Sequence, residues 1–176
     1  MRIAERRSTW YLYQIMIDCE GKSTATAGHF PHASMKLKQL SLFLENKPGN
    51  VRKACRTLAD AGINIETMAL ADTEQYGILR LLTRDWERAK EVFESNGIVV
   101  RLADVVAVVI DHRPGGLADV LDVLDDGDLN IEYMYGFCHQ TENAIIVFRF
   151  NDPDKAIEKI QAEGIRVLSR KELFGI

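Results

Sequence analysis

Two stretches of this chain follow one plan. Leu40 to Gly62 reads LSLFLENKPGNVRKACRTLADAG, and Val105 to Gly127 reads VVAVVIDHRPGGLADVLDVLDDG. Pro48-Gly49 recurs as Pro114-Gly115, and Asn64-Ile65-Glu66 as Asn130-Ile131-Glu132, each at an offset of 66 residues (114 − 48 and 130 − 64). The same shift carries Val51, Ala54, Cys55 and Leu58 onto Leu117, Val120, Leu121 and Leu124. Both sets are spaced i, i+3, i+4, i+7, the stripe of one helix face. Copies of about 70 residues exceed the unit of a solenoid, so the plan is that of two small domains of one fold.

Within the first copy, Lys38 to Glu45 alternates Leu40, Leu42 and Leu44 with Gln39 and Ser41, the pattern of a strand with one face in a core. Asn46-Lys47-Pro48-Gly49 breaks the strand, Asn50 is the expected N-cap of a helix over Val51–Ala61, and Gly62 is placed to end it. Ile63–Ala71 and Gly77–Thr83 read as strands joined by the polar Asp72–Tyr76. Asp85 caps a second helix with Ala89, Val92 and Phe93 inward, Asn96-Gly97 stops it, and Ile98–Leu102 is the last strand. The second copy repeats the order with strand Val105–Asp111, helix Leu117–Asp126, and strands Leu129–Cys138 and Ala144–Phe150. Asp152-Pro153 then starts a helix, Gly164 ends it, and Ile165–Ser169 is a closing strand.

This is an α+β pattern: two ferredoxin-like βαββαβ units, each with an antiparallel four-stranded sheet and both helices on one face. The divisions are a poorly ordered N-terminal extension over 1–34, a first unit over 35–103 and a second over 104–176. Ala103-Asp104 runs straight from the last strand of one unit into the first strand of the next, which holds the units close. Val105–Ile110 and Ala144–Phe148 are apolar at both parities, so the helix-free face of these strands is expected to be covered by the other unit or by a second chain. A homodimer follows from that expectation.

Charge narrows the partners. Of 22 basic and 26 acidic residues, 4 and 3 lie in residues 1–34, leaving 18 against 23 in the copies (22 − 4 and 26 − 3). That acidic balance opposes a nucleic-acid partner, even though Tyr133, Tyr135 and Phe137 could serve an RNA-binding sheet. No apolar run approaches the roughly 18 residues of a membrane span. The odd trio Cys19, Cys55 and Cys138 lacks a C-x-x-C pair, which fits reduced thiols and a cytoplasmic protein. Trp10–Ile17 is too short and too closely followed by Asp18 and Glu20 for a secretory signal.

Most chemically suggestive residues have structural readings. Cys55 takes the position of Leu121 and is a small core residue. Asp119, Asp122 and Asp126 lie off the apolar stripe, on a solvated helix face, and Cys19, His29 and His32 have no regular ligand spacing. Cys138-His139 with His112 is a weak metal or redox signal. There is no nucleophile triad, phosphate loop or dinucleotide fingerprint, so no catalytic residue, metal site or cofactor is expected. What remains is the turn after each unit's first strand, where glycine admits close approach and the following helix presents free N–H groups.

Asn46-Lys47-Pro48-Gly49-Asn50-Val51, followed by Gly62-Ile63-Asn64-Ile65, resembles an ACT domain, a small amino-acid-sensing module. His112-Arg113-Pro114-Gly115-Gly116-Leu117, followed by Gly127, Asn130 and Ile131, resembles a second, so the chain is similar to stand-alone tandem ACT proteins. The resemblance implies a non-catalytic regulatory protein that binds a free amino acid where the turn of one unit meets the second strand of a neighbour. The carboxylate would sit near Gly49–Val51 or Gly115–Leu117. By analogy with the serine-sensing ACT domains of phosphoglycerate dehydrogenases, Asn46 and Asn64 would hold the ligand in the first unit, with Ile65 beside them. His112, Asn130 and Ile131 are the second unit's equivalents. His112 at the first Asn position, and Leu44 where that family has a ligand-binding His, depart from the serine-sensing pattern. A structural module without a ligand, or the regulatory subunit of a separately encoded biosynthetic enzyme, is the alternative.

Overall fold

A computed structural model describes residues 35–72, 76–125, 127–138 and 143–175. Residues 1–34 with Cys19, His29 and His32, and also Asp126 and His139, lie outside the described residues.

The first half runs β1 (Lys36–Glu45), α1 (Asn50–Asp60), β2 (Thr67–Asp72), β3 (Tyr76–Leu82) and α2 (Trp86–Ser95). The second runs β4 (Val100–Asp111), α3 (Gly116–Leu124), β5 (Ile131–Cys138), β6 (Asn143–Phe150), α4 (Pro153–Ala162), β7 (Val167–Leu168) and α5 (Arg170–Phe174). Two helix starts are read correctly from their caps. Asp85 accepts from Arg88 N–H, and Asp152 accepts from Lys155 N–H ahead of Pro153. At α1 the cap differs from the expected one: it is Gly49 and not Asn50, whose side-chain amide donates back to the Glu45 carbonyl at 2.8 Å. Helix α3 likewise starts at Gly116, with Gly115 at its N-cap.

The seven strands of the described residues form one antiparallel sheet in the order β2-β3-β1-β4-β6-β5, with β7 beside β4. β4 is the shared strand. Its first part pairs with β1 from Leu42↔Val100 to Lys36↔Val106, completing the first ferredoxin-like unit. Its second part pairs with β6 from Val106↔Phe148 to Asp111↔Asn143, and with β7 at Ala107 and Val108, opening the second unit. The ladder passes through Ala103-Asp104 without a break, as the sequence there suggests.

Parity on the strands separates the cores. Leu40, Leu42 and Leu44 pack under α1 and α2 with Ala54, Leu58 and Phe93. Val106, Val108 and Ile110 pack under α3 and α4 with Val120, Leu124, Ile157 and Ile160. The opposite parity builds a third core, on the helix-free face, from Leu37, Ala69, Leu82, Val105, Ala107, Tyr135, Ile145, Val147 and Phe174. Residues of both units meet there, so the sheet curls until its helix-free face closes on itself. At the centre Gln39, fully buried, donates to Tyr133 Oη at 2.7 Å and accepts from Tyr135 Oη at 3.0 Å. The Arg80 guanidinium lies 4.0 Å from the centre of the Tyr133 ring.

Differences from the sequence reading concentrate at element ends. β2 begins at Thr67, β5 at Ile131, and β7 is two residues long. An unexpected helix, α5, follows it, closed by a capping box in which Ser169 and Glu172 bond reciprocally.

Candidate functional site

The turns that follow β1 and β4 are built alike. Lys47 N–H donates to Glu45 O at 2.7 Å, Asn50 N–H to Lys47 O at 3.3 Å and Lys53 N–H to Gly49 O at 2.8 Å. At the common offset, Arg113 N–H donates to Asp111 O at 2.9 Å, Gly116 N–H to Arg113 O at 3.1 Å and Asp119 N–H to Gly115 O at 3.0 Å. Gly49 and Gly115 hold φ of 92° and 90°, a left-handed conformation that costs an L-residue and suits glycine. Neither helix start receives a side-chain cap. Helix geometry leaves the N–H groups of the first turn without intrahelical acceptors, and they gather at the positive end of the helix dipole.

The turns differ in charge. The first turn of α1 holds no acidic residue, and Arg52 and Lys53 follow directly. Lys47 pairs with Glu45 at 2.5 Å, a hydrogen bond that holds its ammonium more firmly protonated. In α3, Asp119 already stands in the first turn. Arg113 folds over the loop to Asp119 and to Asp111, and the bond to Asp119 raises the guanidinium's proton affinity further. Gly116 is buried, and a Cβ there would come within 2.2 Å of the Asp111 carbonyl, so the second loop is the tighter of the two.

The expected site residues divide between two ends of each unit. Asn46, Gly49, Asn50 and Val51 stand at the start of α1, while Asn64 and Ile65 follow its C-terminus. Eleven helical residues span roughly 16 Å. His112, Gly115, Gly116 and Leu117 are likewise at the start of α3, with Asn130 and Ile131 beyond its end. Asn46, Asn64, His112 and Asn130 are exposed, and Ile65 and Ile131 lean on the cores of their units. Neither unit alone brings its own turn and its own asparagine together.

Asn64 opens onto a cleft of about 300 Å³ lined also by Gly62, Ile63, Glu66, Arg84, Asp85 and Arg88. Glu66 is buried there and receives Arg84 Nε at 2.9 Å. Sequence reasoning passed over Glu66, Arg84 and Arg88, because the segments that carry them meet only in the fold. Cys55 sits half-buried against the first core, where burial pushes its thiol pKa up. Among the described residues no group of three or more His, Cys, Asp or Glu could hold a metal ion, and no helix is long and apolar enough to cross a membrane.

Comparison with protein families gives one that spans the fold: a model described as an ACT domain pair matches residues 35–176. A solved protein from Bacteroides thetaiotaomicron, BT0572, is 34% identical, with a TM-score of 0.76 over 81% of this chain and 98% of that one. The ligand-free regulatory subunit of aspartate kinase from Thermus thermophilus shares the fold at 16% identity, with a TM-score of 0.56 over 73% of this chain and 93% of that one. The corresponding subunit from Thermus flavus matches at 17% identity, with a TM-score of 0.54, covering 73% and 92% of the two chains. No curated protein matches.

Proposed function

The chain belongs to the family of paired ACT domains, and from that premise we propose that it is a non-catalytic regulatory protein that binds a free amino acid. Its units are taken as 35–103 and 104–176, and its home as the cytoplasm. The observation that carries the reading is the first turn. A left-handed Gly49, an uncapped helix start and an α1 first turn free of acids together make a receptor for a carboxylate. The equivalent surface in the second unit is already occupied by Asp119 and Arg113. Of the two turns, the one at Gly49–Val51 is therefore the working site.

Because Asn46 and Asn64 flank opposite ends of α1, the site needs the turn of one unit and the second strand of another. Within one chain the helix-free faces are spent on each other, so the neighbouring unit comes from a second copy and the protein works as a homodimer. Ligand would then clamp two copies and alter how the pair meets a protein partner, such as a biosynthetic enzyme encoded separately. The Thermus relatives, named as regulatory subunits of aspartate kinase, support a partnership of that kind.

Thermal unfolding of the full chain against each of the twenty amino acids tests the reading. A ligand at about 100 times its dissociation constant adds about 2.7 kcal/mol and raises the midpoint by several degrees. A rise confined to one chemical class, lost in Asn46→Ala, is the expected result. The absence of any rise would leave a structural module in place of a sensor.

A further inference from the structure

The helix-free face closes on itself over only part of the first unit's sheet. At the border Tyr133 meets Gln39, and the Arg80 guanidinium stacks on its ring. Outward from there the strands run on, and their register sets the side chains of this face in rows. Ser41 on β1 pairs with Arg80 on β3 and with Arg101 on β4, so two arginines flank one serine. The next row holds Ile78 and Phe43, with Val99 just ahead of β4, and the last holds Tyr76 and Glu45. Phe43, Tyr76 and Val99 are 42%, 55% and 66% exposed. They are three of the five exposed large hydrophobics among the described residues, so such exposure is concentrated here.

The charge of these rows is equally uneven. Of the three arginines that the strands carry, Arg149 has a carboxylate, Glu132 at 3.5 Å. Arg80 and Arg101 have none among the described residues. Their guanidiniums rest on rings instead, Arg80 at 4.0 Å from the centre of Tyr133 and Arg101 at 5.5 Å from that of Phe43. Arg80 Nε is buried with no acceptor, a costly state for an N–H group. Acids are not scarce in the chain, since residues 35–176 hold 23 of them against 18 bases. The one acid on these rows, Glu45, lies two rows from the arginines and is held by Lys47.

We propose that this end of the sheet is a docking surface for an acidic, extended segment of a partner protein. Its carboxylates bridge Arg80 and Arg101, and an apolar side chain two residues further on packs against Phe43. Guanidiniums already held flat on rings present their N–H forks to carboxylates with little ordering left to do. From the arginine row to the Tyr76 row is about 14 Å, at about 3.4 Å per strand residue, the span of an extended segment of about five residues. Alternate side chains of such a segment face the sheet and match successive rows. Glu45 repels acids at the far row, so the acidic end lies at the arginines. Two cations are too few for a nucleic-acid backbone. The surface gives a place to the protein partner proposed above and rests on that reading for the partner's existence, but it uses neither the Gly49 turn nor Asn64.

Fluorescence anisotropy of the full chain with the labelled, end-capped hexapeptides EESFSL, KKSFSL and EESSSL tests it. EESFSL is expected to bind at least tenfold tighter than the other two and to weaken as salt is raised. Arg101→Glu should weaken EESFSL at least tenfold and turn the preference toward KKSFSL. Arg56→Ala, which removes an equal charge from an exposed place on α1, should change nothing. In amide NMR spectra, Ser41, Phe43 and Ile78 should move most, and circular dichroism melts show that each variant is folded. Equal binding of EESFSL and KKSFSL, full affinity in folded Arg101→Glu, or no binding of EESFSL at about 1 mM overturns the surface. Wild type that sediments as a dimer beside monomeric Arg101→Glu assigns the face to a second copy and overturns it too. Peptide binding that survives in Asn46→Ala, with no amino acid raising the thermal midpoint, keeps this surface and removes the sensor site. A midpoint rise without peptide binding does the reverse.

Discussion

Gln39 on β1 donates a 2.7 Å hydrogen bond to the hydroxyl of Tyr133 on β5, although β4 and β6 stand between those strands in the sheet. The bond is possible only because the sheet curls over its helix-free face. Tyr135 Oη donates to the same amide, at 3.0 Å. Gln39→Met conserves the shape and removes the partner of a buried hydroxyl, which costs about 1–3 kcal/mol. The expected fall in the thermal midpoint is several degrees by circular dichroism. In a double-mutant cycle with Tyr135→Phe the two losses should couple, since both remove one bond.

Tyr135 is nearly fully buried, and burial raises its hydroxyl pKa well above the normal range for tyrosine. The unfolded chain releases this proton near pH 10, whereas the folded chain keeps it. The unfolded state therefore binds fewer protons above about pH 10, and stability contributed by this residue falls as pH rises, by up to about 1.4 kcal/mol per pH unit. Urea midpoints measured across alkaline pH should decline more steeply for wild type than for Tyr135→Phe. Equal slopes would show that Tyr135 ionises in the native state.

Much of this fold is legible residue by residue, and the limits have physical causes. Leu40, Leu42 and Leu44 alternate because one face of β1 is core, and the stripe from Val51 to Leu58 marks the inner side of α1. The apolar doubling of Val105–Ile110 announces a strand covered on both faces, and the cover proves to be the chain's other unit. Asn50 misleads because a glycine in a left-handed conformation can stand at the N-cap without any side-chain acceptor. Helix α5 escapes because Ile165–Leu168 has strand composition, while its start depends on the spacing of Ser169 and Glu172. The turn residues of the candidate site are visible because they are contiguous. The lining of the cleft is not, since Glu66 and Arg88 come together only through the pairing of β2 with β3.

Two glycines in the turns should respond to alanine for different reasons. At Gly49 there is open space for a Cβ, and the penalty is the positive φ, about 1–2 kcal/mol. Gly116 is instead blocked by the Asp111 carbonyl, whose oxygen would stand 2.2 Å from a Cβ at that position, so backbone must move. Gly116→Ala is expected to cost about 3 kcal/mol, the upper part of the overpacking range. Chemical denaturation of the two variants should place Gly116→Ala below Gly49→Ala in stability, and the reverse order would mean that the second turn yields more easily than the first.

The last helix hangs on one capping box. Ser169 is buried, its hydroxyl accepts from Glu172 N–H at 3.2 Å, and Glu172 Oε2 takes the Ser169 N–H at 2.9 Å. Burial would push the Glu172 carboxyl pKa up. Hydrogen bonds from the Ser169 backbone and hydroxyl, joined by Arg166, outweigh it and leave the carboxyl below its usual range. Since the folded pKa is depressed, this stabilisation is present above the unfolded value near 4.3 and is lost as pH falls through the folded one. Ser169→Ala should cost about 1 kcal/mol at neutral pH and flatten the acid limb of the stability curve. Because Phe174 of α5 packs in the core between the units, hydrogen exchange in that variant should quicken first at Arg170–Phe174 and then along β7. Exchange that stays slow there would mean that Phe174 holds the helix without its cap.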